Sequence, residues 1–311
     1  MNAKAILPME SYRLAQYAVP VPCFICEGDN AFDSEYCRHC FAPMALSTYA
    51  AKQKTRPKLL ATLGSSGTGK TVYLGTLMDM LSRQADAVQL VARGAFSITL
   101  QQRTIASLSR CIFPEKTASE PDRWNWVNGT LRMPGARREV ELVMPDMAGE
   151  AILEEIDHPH SFPVVQSMLA KSAAVLLLVD TIRVDEGGGE QDFFAMKILS
   201  HLSDILDSVE SEKKSRWKKN SVTPPVALVF TKADQCDICF DDPIAYARKH
   251  TPGLWQLCQE RFRDHQFFAA GVAGACAVRM SVSGGRQRVP LRVEPRGIVA
   301  PFRWLVERIA Q

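Results

Sequence analysis

The chain has 311 residues, 46% of them hydrophobic, which is enough for one large core or for one core with small appendages. Its formal net charge of +3 is too small at this size to predict nucleic-acid or membrane binding from electrostatics alone. The most hydrophobic run, residues 173–179, is too short to cross a bilayer, and the first 22 residues contain no apolar stretch of signal-peptide length. We therefore expect a soluble, cytosolic protein.

Changes of pattern along the chain predict four regions. Residues 1–22 form a leader, residues 23–46 a cysteine-containing module, residues 47–57 a polar linker, and residues 58–311 the main domain. The module contains two CxxC pairs separated by ten residues, with the cysteines at Cys23, Cys26, Cys37 and Cys40. This spacing favours a small zinc ribbon in which four thiolates hold structural Zn²⁺, with redox cysteines as the alternative. A closed Cys₄ site leaves no position for catalysis, so its role would be docking or structural capping.

The main domain alternates apolar runs with segments of helical periodicity. Short runs without a polar face predict buried strands at 58–63, 140–144, 173–180, 225–231 and 277–281. Apolar residues at helical spacing predict helices at 71–83, 191–209, 244–263 and 301–310. A hairpin is expected where 128–133 and 140–144 flank the turn Pro134-Gly135. The pattern therefore predicts an α/β domain with a mostly parallel sheet and one antiparallel strand.

A complete phosphate-binding loop follows the first predicted strand and opens the first predicted helix. Its residues are Gly64, Ser65, Ser66, Gly67, Thr68, Gly69, Lys70 and Thr71. The glycines let the main chain turn tightly, so that N–H groups converge on a β-phosphate. Lys70 would supply positive charge to the β- and γ-phosphates, and the Thr71 hydroxyl would bind Mg²⁺. The loop therefore predicts nucleotide binding, although it does not distinguish ATP from GTP.

Two later strands end in motifs that point to guanine. The first runs into a DxxG motif, in which Asp146 would hold Mg²⁺ through a water and the Gly149 amide would meet the γ-phosphate. The second ends in a TKxD motif with Thr231, Lys232 and Asp234. A carboxylate at Asp234 accepts both guanine donors, N1–H and N2–H₂, whereas adenine offers no such pair. We expect Ser281 and Val282, at the next predicted strand end, to complete the base pocket.

The order of these motifs resembles the Ras-like, translation-factor-related superclass of P-loop GTPases, over about residues 58–311. Within it, the chain is similar to bacterial double-GTPase families associated with conflict and defence loci. The resemblance implies a three-layer P-loop NTPase sandwich, Mg²⁺-dependent binding of GTP and GDP, and a switch between the two states.

Two positions depart from that pattern. Small GTPases commonly have glutamine after the DxxG glycine, whereas this chain has Glu150, which cannot donate a hydrogen bond while ionised. We therefore expect slow hydrolysis that a partner accelerates, unless Glu150 only faces solvent. The switch I threonine that should reach Mg²⁺ is not fixed by a motif, and we choose Thr117 because it lies in the most loop-like context. The alternatives are Thr99, Thr104 and Thr130.

Three functions follow from these features. The first is a GTPase switch that recruits a protein effector, such as another GTPase, with the ribbon as a docking module. The second is a GTP-binding scaffold with little hydrolysis, an alternative that remains because Glu150 replaces the glutamine common in small GTPases. The third is a nucleic-acid-associated NTPase, suggested by the ribbon and the basic run at 212–220 but disfavoured by the small net charge.

Overall fold

The computed structural model describes residues 20–53, 55–83, 88–134, 139–187, 189–213, 223–280 and 286–310. The strands, in chain order, are β1 (Val21–Pro22), β2 (Asp29–Asn30), β3 (Lys58–Gly64), β4 (Gln89–Ala92), β5 (Asn125–Arg132), β6 (Val140–Asp146), β7 (Ser172–Asp180), β8 (Val226–Thr231), β9 (His265–Ala269), β10 (Ala275–Met280) and β11 (Arg286–Arg292). Seven of them form one sheet in the order β4-β5-β6-β3-β7-β8-β9, whereas β1 with β2 and β10 with β11 form separate two-stranded sheets.

Helices connect most of these strands. They are α1 (Met44–Lys52), α2 (Lys70–Arg83), α3 (Gly94–Ser109), α4 (Gly149–Asp157), α5 (Pro163–Lys171), α6 (Thr181–Asp185), α7 (Glu190–Lys213), α8 (Asp237–Asp241), α9 (Pro243–His250), α10 (Pro252–Arg261) and α11 (Val299–Ile309). Within the described ranges, none of these helices is both long and apolar enough to pass through a bilayer.

One strand of the sheet, β5, runs against the others. It pairs antiparallel with both β4 and β6, whereas β3 is parallel to β6 and β7, and β8 is parallel to β7 and β9. The expected mostly parallel sheet with one antiparallel strand is thereby confirmed; residues 135–138 of the predicted turn lie outside the described residues. The carboxyl ends of β3, β6, β7, β8 and β9 meet at one edge, where ligands of open α/β sheets bind.

Both faces of the sheet are covered, which explains why its central strands are apolar throughout. On β7, Leu177 packs into a cluster with α5 and α7, while the neighbouring Leu176 packs into a second cluster with α2 and α11. All side chains from Ala174 to Val179 are buried, since successive residues point to opposite covered faces. The arrangement is the predicted three-layer sandwich.

Three sequence predictions differ from the structure in the carboxyl-terminal third. The predicted helix at 244–263 is two helices, because Pro252 cannot continue α9 and disfavours the helical conformation at Thr251. The run 277–281 was expected to be a buried strand of the main sheet, which is wrong: β10 pairs only with β11 among the described strands, and residues 278–280 are exposed. The last strand of the sheet is instead β9, which the sequence analysis missed.

The cysteine module packs against the main domain. Residues 47–52 of the predicted linker continue α1, because Leu46 and Ser47 on that helix are buried. Lys171 Nζ donates to the Ile25 carbonyl at 2.7 Å, and Tyr36 Oη donates to the Asp122 carbonyl at 3.4 Å. The module is therefore held to the domain by hydrogen bonds as well as by apolar contact. Residues 1–19 of the predicted leader lie outside the described residues.

Candidate functional site

The phosphate loop joins β3 to α2, as its sequence predicts. Gly67 and Gly69 have φ angles of +78° and +91°, a left-handed conformation that glycine adopts at little cost. Lys70 is 5% exposed and its ammonium donates to the carbonyls of Gly64 and Ser65 at 2.9 and 3.0 Å. Burial lowers the pKa of Lys70 to about 8, against the opposing effect of nearby carboxylates. The amine of Lys70 is therefore buried within the phosphate loop, next to the main-chain N–H groups that could bind a phosphate.

Three hydroxyl and carboxylate oxygens meet beside this loop. The hydroxyl oxygens of Thr71 and Thr117 are 2.9 Å apart, and they lie 2.9 and 3.1 Å from the Asp146 Oδ2. Asp146 is fully buried, and burial raises the pKa of its carboxyl group. Oxygen donors of this kind are the ligands that Mg²⁺ prefers. The residue set fits a magnesium ion at the mouth of the phosphate loop.

The other threonines considered for switch I lie elsewhere. Thr104 is buried beneath Gly75, where an added Cβ would come within 2.2 Å of its hydroxyl oxygen. The Thr130 hydroxyl donates to the Glu141 carboxylate at 3.0 Å. Thr99 lies in α3. Of the four, Thr117 is therefore the one that the structure brings to Thr71 and Asp146.

The DxxG segment lies directly on the phosphate loop. A Cβ built on Gly149 would be 2.3 Å from the Ser66 main-chain nitrogen, so only glycine fits this approach. Glu150 forms an ion pair with Lys116 and is 40% exposed. Partial burial acts to raise the pKa of Glu150, but hydrogen bonds from Lys116 and Ser66 outweigh it and lower the pKa. Glu150 is thus a paired carboxylate at neutral pH.

The TKxD segment lies on the other side of the same loop. The Thr231 hydroxyl donates to the Thr68 carbonyl at 2.8 Å, which ties β8 to the phosphate loop. Lys232 adopts a left-handed conformation with φ of 58° and forms an ion pair with the buried Asp180 at the end of β7. These contacts hold Asp234 at the carboxyl edge of the sheet, in the same pocket.

The loop after β9 completes this end of the pocket, and the sequence analysis did not find it. Residues 270–273 line the cavity with Asp234. A Cβ on Gly271 would be 2.4 Å from the Asp234 Oδ1, so glycine permits the carboxylate to sit against the main chain. The predicted Ser281 and Val282 lie outside the described residues. The available signal was the aromatic run at 267–268, which is typical of a strand, followed by small residues.

All these segments line one cavity of about 450 Å³. That size is within the range of small-molecule and cofactor sites, roughly 300–1,000 Å³. Its lining includes residues of the phosphate loop, Asp234 and the segments 113–117 and 148–150. One ligand with a polyphosphate and a base can therefore reach every predicted residue that lines this cavity.

Within the described ranges, the four predicted zinc ligands are the one group of three or more His, Cys, Asp or Glu side chains placed to hold a metal ion. All four sulfur atoms lie within 4.8 Å of one another, with Cys23 3.7 Å from Cys40 and Cys26 3.5 Å from Cys37. Tetrahedral Zn²⁺ with bonds of about 2.3 Å requires sulfur atoms about 3.8 Å apart. The hydrogen bond between Cys23 and Cys40 lowers the pKa of Cys23, whereas the same bond, together with burial, raises the pKa of Cys40. The geometry and the donor set both fit zinc.

Comparison with known proteins assigns the family. The family model Double-GTPase 1 matches residues 61–288, from β3 to β11. The Arl6 BBS3 small GTPase of Trypanosoma brucei is 12% identical with a TM-score of 0.39, and the match covers 82% of this chain and 98% of that chain. The Ski7 GTPase-like domain of S. cerevisiae is 14% identical with a TM-score of 0.38, covering 81% and 50%. These weak structural likenesses say nothing about ligands. A comparison with curated proteins found no match.

Proposed function

Because this chain belongs to the Double-GTPase 1 family, we propose that it is a magnesium-dependent GTP switch whose GTP-bound form recruits a protein partner. One observation carries the proposal: the hydroxyls of Thr71 and Thr117 and the carboxylate of Asp146 lie within 3.1 Å of one another beside Lys70. Thr117 is far from the other two in sequence. Its convergence with them is what a metal bridging a loop and a nucleotide requires.

Guanine selection rests on Asp234 and on the loop at 270–273. A carboxylate accepts from N1–H and N2–H₂ of guanine. The N–H groups of Ala270 and Gly271 already donate to the carbonyls of Phe230 and Arg296, so the N–H groups of Val272 and Ala273 are the ones that can donate to the guanine carbonyl. Adenine would leave the carboxylate without these donors, at a cost of about 1–3 kcal/mol for an unsatisfied polar group. The pocket therefore favours GTP and GDP over ATP.

Thr71, Thr117 and Asp146 would hold Mg²⁺, which when bound neutralises charge on the β- and γ-phosphates. Lys70 would move from its loop carbonyls to those phosphates, and the Gly149 amide would donate to the γ-phosphate. Thr117 and Gly149 belong to different loops that share one ligand, so both loops lose a contact when the γ-phosphate leaves. These two loops are the switch segments of the proposal.

The state of Glu150 is the reason that we expect slow hydrolysis of GTP in the absence of a partner. Its carboxylate is held by Lys116 and, being ionised, has no hydrogen to donate to a γ-phosphate oxygen. The family description names a double GTPase, and we infer that the partner is a second GTPase, with the ribbon as an additional docking surface. The same ion pair favours the second candidate, a GTP-binding scaffold with little turnover.

Binding and turnover of the purified protein test the proposal. Fluorescent GTP should bind more tightly than fluorescent ATP, Asp234→Asn should weaken guanine discrimination, and Lys70→Ala should abolish binding of both. Asp237→Asn, a change at an acidic residue in the first turn of the neighbouring helix α8, serves as a matched control. Equal affinity for ATP and GTP would overturn the base assignment. Rapid turnover without a partner would overturn the role given to Glu150.

A further inference from the structure

Arg183 lies against the phosphate loop, although no sequence motif marks it. It sits in the short helix α6 that follows β7, where the Asp180 carboxylate accepts from the Ile182 N–H at 3.1 Å. The Arg183 Nη1 donates to the Ser66 carbonyl at 2.9 Å. A Cβ built on Gly67 would be 3.3 Å from the Arg183 Nη2. The guanidinium group therefore touches two residues of the loop and lines the cavity.

Ser66, the residue that Arg183 contacts, also lies against the DxxG segment. A Cβ on Gly149 would be 2.3 Å from the Ser66 nitrogen, while Arg183 bonds the Ser66 carbonyl. Glu150 also forms a hydrogen bond with Ser66. The Gly149 amide is the proposed contact for the γ-phosphate, and Gly149 and Arg183 both lie against Ser66. Arg183 thus contacts the phosphate loop, and it follows β7, which lies between β3 and β8 in the sheet.

The nearby charges leave Arg183 able to bind a phosphate. Lys116 pairs with Glu150, and Lys232 pairs with Asp180. The Arg183 Nε is 3.8 Å from Asp180, beyond hydrogen-bond distance, so neutralising Asp180 is mainly the task of Lys232. A guanidinium has five N–H donors, more than the Ser66 carbonyl can use. With 48% of its side chain exposed, Arg183 also has room to reorient.

We propose that Arg183 is a catalytic arginine supplied by the chain itself, which donates to the transferring γ-phosphoryl group of GTP. This rests on the proposed GTPase function. A water oxygen forms a bond to the γ-phosphorus while the bond from that phosphorus to the β,γ-bridging oxygen breaks. The electron pair of the broken bond stays on GDP, and the water protons leave on the inorganic phosphate or as released H⁺. The Arg183 guanidinium stabilises negative charge on the phosphoryl oxygens, which a paired Glu150 cannot do.

Single-turnover hydrolysis and formation of a GDP-fluoroaluminate complex test this role. We expect Arg183→Ala and Arg183→Lys to lower the hydrolysis rate about 100-fold while GTP affinity changes less than about threefold. Both variants should also fail to form the complex of GDP, Mg²⁺ and fluoroaluminate that the unmodified protein forms. Arg132→Ala, which removes an arginine from an exposed ion pair with Glu139 on the β5–β6 hairpin, is the matched control and should behave as unmodified protein.

The outcomes separate the two proposals. If the unmodified protein does not bind GTP, the proposed function fails. If it binds GTP and Arg183→Ala hydrolyses GTP or forms the fluoroaluminate complex as well as unmodified protein does, only the role of Arg183 fails. Unmodified protein that binds GTP, does not hydrolyse it and forms no complex also overturns the role of Arg183. A joint loss of affinity and thermal stability in Arg183→Ala, with hydrolysis of bound GTP unchanged, would indicate a structural role beside Asp180.

Discussion

A methyl group added to Gly149 would meet main-chain atoms of the phosphate loop on all sides. Its Cβ would lie 2.3 Å from the Ser66 nitrogen, 2.5 Å from the Ser65 carbonyl carbon and 2.9 Å from the Gly64 oxygen. Because these are backbone atoms, no side chain can rotate to relieve the contact. Ordinary contact begins near 3.4 Å, so the two segments must separate by about 1.1 Å, the difference between 3.4 and 2.3 Å.

This displacement is expected to reduce turnover far more than binding. A misplacement of about 1 Å in a reacting site costs roughly 100-fold in rate. We therefore expect Gly149→Ala to lower the single-turnover hydrolysis of GTP about 100-fold. GDP affinity should change less than threefold, because GDP lacks the phosphate that the Gly149 amide would contact. The fold should persist, since Gly149 begins α4 and alanine favours helix over glycine by up to about 1 kcal/mol.

The assay compares Gly149→Ala with Glu154→Ala, an exposed position on the same helix. Both variants are measured for hydrolysis of prebound GTP, for GDP affinity and for thermal unfolding. The reasoning is refuted if Gly149→Ala hydrolyses GTP within threefold of the unmodified protein. Equal losses of GTP and GDP affinity would show instead that the alanine distorts the phosphate loop itself.

Three further perturbations test other parts of the site. Gly271→Ala should push the Asp234 carboxylate from its position and lower the preference for GTP over ATP about tenfold, measured by competition binding, with affinity for inorganic triphosphate unchanged. Thr117→Ala should raise the Mg²⁺ concentration needed for half-maximal GTP binding about tenfold, and Thr99→Ala, made in α3, should leave it unchanged. The purified protein should contain about one zinc ion per chain by elemental analysis, whereas Cys40→Ser should lose it together with several degrees of thermal stability; equal zinc content in both proteins would contradict the Cys₄ assignment.

Local motifs made the phosphate end of the site readable from sequence. The loop at 64–71 is contiguous, and the DxxG and TKxD motifs each follow an apolar strand, so residue order alone placed them at one sheet edge. Thr117 needed a different argument, its loop context, and the structure brings it to Thr71 and Asp146. These residues could be predicted because each lies in a short stretch of sequence and acts through its side chain or through a glycine.

The base end was harder to predict because it uses main-chain atoms. Val272 and Ala273 offer main-chain N–H groups, which every residue except proline possesses, so no side chain marks them. The sequence analysis chose Ser281 and Val282 because they follow the predicted strand at 277–281. In the structure β10 pairs with β11 outside the seven-stranded sheet, and the two residues themselves lie outside the described ranges. Arg183 was missed for another reason: its contact with Ser66 joins positions 117 residues apart, and only the packing of β3 beside β7 brings them together.

The cysteine module shares its interior with the domain beneath it. Cys23, Ile25 and Cys37 belong to the same apolar cluster as Trp124 and Met147. Trp124 follows the segment that contains Thr117, and its indole N–H donates to the Ala118 carbonyl at 3.0 Å. Met147 belongs to the DxxG motif, between Asp146 and Gly149. We expect a chain that begins at Lys58 to expose this surface to water and to loosen both the segment that contains Thr117 and the DxxG segment. In the proposed switch, removal of the module is therefore expected to weaken the contacts to the γ-phosphate first.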